Sequence, residues 1–294
     1  MAEITNWRAK NPHKPLFGQK ADPVPATRFF DQLSFIGNPN VGCFVLETID
    51  GIILLDCMEP KEEFKQMIID GFSQLGLDLN DLKMILVTHG HGDHYGTANW
   101  FRDQYGCRIY MSKGDYEYAK QDECSPTGVL TWDIYDFIDD GDVIELGGQK
   151  VYCFMTSGHT PYCMSFIIPV TDNGEPHMMA MWGGSGIPYN PSEKVKYLKS
   201  CLRFAKITEK FGVDGEIASH PFIDKGTERL AVVRDIPDGV PNPFVLGKEG
   251  YKKMEEMYLG LCIDAMEKQA EVLDKVVPED PRIARMRERK AAQK

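Results

Sequence analysis

Thr88-His89-Gly90-His91-Gly92-Asp93-His94 sets three imidazoles and one carboxylate within six residues, directly behind the apolar run Met84-Ile85-Leu86-Val87. That run is short, β-prone and entered from Asp81-Leu82-Lys83, so it reads as a buried strand. The polar cluster then falls on the loop at the strand's C-terminal end, where open α/β sheets carry their chemistry. In extended backbone alternate side chains point the same way, so His89 and His91 can converge on one ion. Asp93 and His94 follow where the chain turns into a helix, and are directed elsewhere, toward a second ion nearby. Gly90 and Gly92 allow a tight turn and leave space around the cluster. The competing reading is a polar loop that merely contains histidines. The chain has only seven, at positions 13, 89, 91, 94, 159, 177 and 220, so three beside an aspartate favour a metal. Imidazole and carboxylate donors suit zinc.

Outward from this loop, 41–47 and 52–56 are strand candidates joined through Asp50-Gly51, a hairpin signal. Asp56 ends the second, as a turn-former or as a buried acid orienting the metal loop. Phe64, Met67, Ile68, Phe72 and Leu75 recur at helical spacing and predict a helix over 60–76. A helix over 95–105 and a strand over 107–111 follow the metal loop. Segment 113–140, aromatic and acidic, is either a lid-like element or a surface insertion. Gly147-Gly148 joins strands 143–146 and 149–155. The latter ends in Thr156-Ser157-Gly158-His159-Thr160-Pro161, and the cluster at 89–94 still needs a third imidazole. Strands 163–170 and 177–181 flank Asp172-Asn173-Gly174, and Trp182-Gly183-Gly184-Ser185-Gly186 reads as a backbone bend. Asn190-Pro191-Ser192-Glu193 reads as the start of a helix to about 211, with Asn190 as its cap. A last strand over 213–218 runs into Ser219-His220-Pro221. Three strand ends delivering histidine speak against chance, whereas His13 and His177 lack that setting. A long amphipathic helix is predicted over 249–273. Residues 1–30 read as an extended arm, 31–277 as the domain, and 278–294 as a charged, loosely held tail.

At 294 residues and 43% hydrophobic, the chain can bury a large core. A net charge of −11 without a basic stripe argues against a nucleic-acid surface, and no run approaches the ~20 apolar residues of a membrane span. Residues 1–8 contain no apolar signal segment, and the eight cysteines form no CxxC pair. Both favour the cytoplasm, or the periplasm if a leader has been removed.

These residues carry a resemblance to the metallo-beta-lactamase superfamily, covering nearly the whole chain from about residue 30. His89-Gly90-His91-Gly92-Asp93-His94 fits its HxHxDH motif, and Asp56, His159 and His220 fit its other motifs in order. The resemblance implies an α/β, four-layer αββα sandwich. Within the superfamily the chain is most similar to the third subclass of metallo-beta-lactamases, whose second zinc site uses Asp, His and His. No Asp or Cys stands among 183–190, where a bridging ligand would otherwise be expected, and the stretch around 238–244 also resembles that subclass. The resemblance assigns His89, His91 and His159 to one Zn²⁺, and Asp93, His94 and His220 to another. Gly183 stands where many members carry a serine, leaving Ser185 as the nearest hydroxyl.

The implied function is a binuclear zinc hydrolase in which metal-held hydroxide attacks a carbonyl, foremost the cyclic amide of a beta-lactam antibiotic. The substrate would be a small, carboxylate-bearing molecule. Asp93 would orient the water, and Ser185, Tyr189 and Asn190 would hold the substrate carboxylate or developing oxyanion. A hydrolase of the same fold acting on a lactone, thioester or other ester is the enzymatic alternative. A metal-stabilised, non-catalytic binding protein is the alternative of another class.

Overall fold

The computed structural model describes residues 21–121, 129–237, 239–265 and 288. Two sheets form from consecutive halves of the chain. The first has seven strands in sequence order: β1 (Val24–Phe30), β2 (Leu33–Gly37), β3 (Gly42–Thr48), β4 (Gly51–Leu55), β5 (Leu82–Leu86), β6 (Arg108–Met111) and β7 (Asp136–Phe137). The second comprises β8 (Val143–Leu146), β9 (Gln149–Met155), β10 (Met164–Asp172), β11 (Glu175–Met181) and β12 (Gly215–Ile217), in the order β12-β11-β10-β9-β8. Strands β4 to β7 run parallel, as do β11 and β12, and the remaining pairs are antiparallel.

Residue alternation builds the layers. Phe44, Leu46, Ile53 and Leu55 of the first sheet meet Phe166, Ile168, Met179, Met181 and Ile217 of the second in one buried cluster. Their neighbours point the other way, because successive strand side chains alternate in face. Cys43, Val45, Ile52 and Leu54 pack against helix α1 (Glu62–Leu75) through Phe64, Ile68 and Phe72. Ile167 and Ala180 pack against helices α5 (Pro191–Phe211) and α7 (Gly247–Ala265) through Phe204 and Tyr251. The result is the αββα sandwich implied by the sequence. Each fully buried Leu, Ile or Phe in these layers stabilises it by about 1.5–3 kcal/mol relative to exposure.

The other described helices are α2 (Gly92–Tyr95), α3 (Ala98–Tyr105), α4 (Lys113–Ala119) and α6 (Gly226–Asp235). Helix α5 starts as read from sequence, with Asn190 Oδ1 accepting the Ser192 N–H at 2.9 Å, and stops at Gly212 in the left-handed region. The reading of 1–30 as an arm needs correcting where it can be seen. Val24–Phe30 pairs with β2 as the sheet's edge strand, carrying Pro25 and two register shifts, and Phe29 and Phe30 lie in the inter-sheet core. Proline and irregular pairing are tolerated at an edge, which is why the segment reads as an extended arm lying on the body rather than as a sheet strand. Residues 1–20, the tail apart from Glu288, and the helix expected beyond 265 lie outside the described residues. No described helix is long and apolar enough to cross a membrane. The seven described cysteines are free and buried.

Candidate metal centre

Every element of the centre follows the C-terminal end of a strand. Asp56 follows β4, Thr88 to His94 follow β5, His159 follows β9, the glycine loop 183–186 follows β11, and His220 follows β12. Backbone hydrogen bonds tie these ends together: Met164 N donates to Thr88 O at 2.8 Å, and Gly42 N to Ser219 O at 2.8 Å.

The local conformation of 89–94 divides its ligands as their spacing requires. His91 is extended (φ −94°, ψ 143°), so it shares a side with His89, and helix α2 then begins at Gly92 and turns Asp93 and His94 away. Two groups result: His89, His91 and His159, and Asp93, His94 and His220. His91 Nδ1 lies 3.2 Å from His89 Nε2 and 3.1 Å from His159 Nε2. His94 Nε2 lies 3.2 Å from His220 Nε2, with Asp93 Oδ2 at 3.7 and 3.6 Å from the two. A tetrahedral ion with bonds of about 2.0–2.1 Å holds its donors about 3.3–3.4 Å apart, so both groups match a zinc-sized ion. All six residues assigned to metal from the sequence are therefore brought together in the expected sets.

The outer nitrogens decide which way the lone pairs face. His159 Nδ1–H donates to Gly186 O at 2.6 Å and His220 Nδ1–H to Asn40 O at 2.8 Å, both acceptors without protons. His94 Nδ1–H donates to Asp56 Oδ2 at 2.7 Å. Thr88 Oγ1 gives its own proton to Asp56 and accepts from His89 Nδ1–H at 3.0 Å. In its neutral form each ring so anchored turns an unprotonated Nε2 inward. Lone pairs crowded at about 3 Å repel one another, and a cation between them relieves the repulsion.

Protonation follows the same logic. Burial, reinforced by neighbouring imidazoles, pushes His89 well below its ordinary range and His159 down to about 3. Burial brings His91 down to about 4 and also lowers His220. These rings are neutral at neutral pH, the form that binds metal. Burial opposes charge on His94, but Asp56 and Asp93 outweigh it and raise its pKa. For Asp93 burial is outweighed by His94, His220 and His91, which keep the carboxylate ionised.

Asp56 is the buried acid that the sequence left open between two roles. It sits at φ 59° with its carboxylate fully enclosed. It accepts from Thr88 N (2.8 Å), Thr88 Oγ1 (2.9 Å), Ser219 Oγ (2.6 Å) and His94 Nδ1 (2.7 Å), joining three strand ends.

Asp115 of α4 was missed from sequence. Its buried carboxylate accepts from Gly90 N at 2.9 Å, Thr160 Oγ1 at 2.5 Å and Tyr162 N at 2.7 Å. One side chain thus clamps the loop of His89 and His91 to the loop of His159. Burial raises its pKa to about 6, against the pull of those three donors. Nothing in the mixed composition of 113–140 marks it, because the role depends on two distant loops arriving there. Asp115→Ala is expected to weaken zinc at the first group by about 10–100-fold, measured by competition with a chromophoric chelator, with the second group little changed. Equal weakening at both groups would assign Asp115 to the fold at large.

The glycine loop is not simply a bend. A Cβ on Gly184 would meet His159 Cβ at 2.4 Å and its ring Cγ at 2.7 Å, one on Gly186 would meet the ring at 2.8 Å, and one on Gly183 would strike Met164 O at 1.7 Å. The glycines let the loop lie flat on the ligand and bring Gly186 O to its Nδ1. Ser185 lies in this loop, half-buried. Tyr189 is 98% exposed, and Asn190 uses Oδ1 to cap α5, so neither forms part of the ligand groups.

A two-sheet sandwich with paired His/His/His and Asp/His/His groups at one edge defines a class of metal-binding αββα proteins. Comparison with known proteins adds likenesses to this class. A family model described as the metallo-beta-lactamase superfamily matches residues 37–172, a little under half of the chain. It is 29% identical over 125 residues to a probable polyketide biosynthesis zinc-dependent hydrolase of Bacillus subtilis, covering 42% of this chain and 49% of that protein. It is 31% identical over 98 residues to a hydroxyacylglutathione hydrolase of Haemophilus influenzae, covering 31% and 46%. The matched stretch thus spans less than half of either relative's length. In structure it is similar to BJP-1, a subclass B3 metallo-beta-lactamase of Bradyrhizobium japonicum, with a TM-score of 0.74, 21% identity, and 87% and 97% of the two chains covered.

Proposed function

We propose that the chain is a binuclear zinc hydrolase of the third-subclass type, cleaving the cyclic amide of a beta-lactam or a closely related carbonyl compound. The observation that carries this reading is the second ligand group. Asp93, His94 and His220 are pre-aimed beside the first group, and no carboxylate is shared between the two among the described residues. Bound zinc would supply a nucleophilic water near neutral pH and polarise the carbonyl under attack.

The chain's own residues supply the rest. Asp93, kept ionised by the imidazoles around it, accepts a hydrogen bond from the attacking water and orients it. Asp56 and Asp115 hold the ligand loops, so that little reorganisation is left for the reaction. Ser185, on the loop against His159, is the nearest candidate to hold a substrate carboxylate, with Tyr189 and Asn190 further along the same segment. The partner in this reading is a small acidic molecule, met in the cytoplasm.

A thioester substrate is the second reading, favoured by the likeness to a hydroxyacylglutathione hydrolase. Zinc-loaded protein is expected to turn over a chromogenic cephalosporin, to lose at least ~100-fold in rate after dipicolinate treatment, and to recover on adding zinc. Turnover of a hydroxyacylglutathione thioester with none of the cephalosporin would move the assignment to the second reading. Bound zinc with no turnover of either would favour a binding protein.

A further inference from the structure

Behind the glycine loop, on the outer face of the second sheet, a cavity opens between α5, α7 and β12. Its walls include Trp182, Phe204, Tyr251 and Tyr258, with Glu216 and Glu255 facing the same space. Glu216 occupies the middle of β12, opposite Ala180. Strand alternation sends Ile217 into the inter-sheet core and Glu216 outward beneath the helices, where an apolar residue would be expected. Its side chain is buried, at 2% exposure, and Oε1 has no hydrogen-bond partner. A buried carboxylate oxygen in that state is costly unless something occupies the space before it.

Its described neighbours are acidic and hydroxyl groups as well as one guanidinium. Asp224 faces Glu216 from the connection after β12, Arg229 from α6, and Glu255 and Tyr258 from α7. Arg229 is committed to Asp224, with Nη1 3.3 Å from its Oδ2, and lies over the Phe244 ring. Glu255 accepts the Thr208 hydroxyl. Among the described residues, Glu216, Asp224, Glu255 and Arg229 therefore surround a hole with room for about one or two water-sized groups. A divalent metal ion would want about six oxygens in regular array. This hole offers carboxylates on aromatic walls, which suits a cation that donates hydrogen bonds and tolerates ring faces.

We propose that this cavity is a binding site for an ammonium-type cation, ammonium itself or the head of a small primary amine, held between Glu216 and Glu255. The site is separate from the hydrolytic reading and stands whether or not that reading holds. In its cation-free state burial, and then Asp224, push Glu216 up to about 8, so the carboxyl keeps its proton at neutral pH. The cation enters by displacing that proton, and binding strengthens as pH rises from 6.5 to 8.5.

The test is thermal unfolding of zinc-loaded protein, with Trp fluorescence read in parallel, in ammonium chloride, methylammonium chloride or sodium chloride at equal ionic strength. Ammonium and methylammonium should raise Tm by about 3 °C at ~10 times Kd, and by more at pH 8.5 than at 6.5, whereas sodium should not. Glu216→Gln should abolish both the shift and its pH dependence. Ammonia acting at the zinc ligands would affect both proteins alike, so the difference between them is the readout. If Glu216→Gln does not fold, Glu255→Gln serves as the same comparison. Equal shifts with sodium, no shift at all, or a shift that survives the substitution would overturn the proposal and leave the cavity to water.

Discussion

His91→Ala protein, loaded with zinc and dialysed, should retain about one equivalent less than the parent and hydrolyse substrate about 10³–10⁴-fold more slowly. His91 Nδ1 lies between its two partners, 3.2 Å from His89 Nε2 and 3.1 Å from His159 Nε2, so its loss leaves two imidazoles where three are needed. The substitution does little else. The backbone at 91 is in the ordinary extended region, the side chain is half-buried, and no main-chain hydrogen bond depends on the ring. Circular dichroism and Tm without added metal should therefore match the parent. Metal analysis and the initial rate together make the test sharp. Unchanged zinc and unchanged rate would refute the assigned first group, and lost zinc with full rate would place the chemistry on the second group alone.

Asp56→Ala should be the most damaging single change for the fold near the site. Four donors from two other strand ends converge on this carboxylate, and each would be left buried without an acceptor. Breaking a buried, hydrogen-bonded charge of this kind costs about 3–5 kcal/mol. Position 56 also sits at φ 59°, a region that aspartate tolerates better than alanine, which adds to the loss. His94 would lose the partner that fixes its ring, so zinc at the second group should weaken by about 10–100-fold. Urea unfolding of the metal-free protein measures the first effect, and chelator competition the second. Asp56→Asn, which preserves shape and one acceptor oxygen, should fall between. A stability within ~1 kcal/mol of the parent would show that water replaces the carboxylate and that Asp56 is no keystone.

The two candidate ligand groups were legible because each member is announced locally. His89, His91, Asp93 and His94 are consecutive enough for backbone geometry to sort them, and His159 and His220 follow apolar strands at whose ends side chains reach the site edge. The sandwich was legible from the alternation that turns Phe166 and Ile168 inward and Ile167 outward. Other features depend on contacts that no short window contains. Asp115 acts only where Gly90 and Thr160 both reach it. Helix α6 carries a weak apolar stripe, with Leu230 and Gly226 its buried residues, and was not predicted. The glycines at 183, 184 and 186 read as a turn because sequence shows their flexibility and not the ring pressed against them. Edge strand β1 was hidden by Pro25, whose cost vanishes where no neighbour needs its N–H.

The glycine loop also bears on how this protein can diversify. Three of its four positions are bound to remain small by the His159 ring and the β10 backbone. Position 185 alone carries a side chain in this loop. Sequence change along this loop is therefore confined to a single adjustable residue.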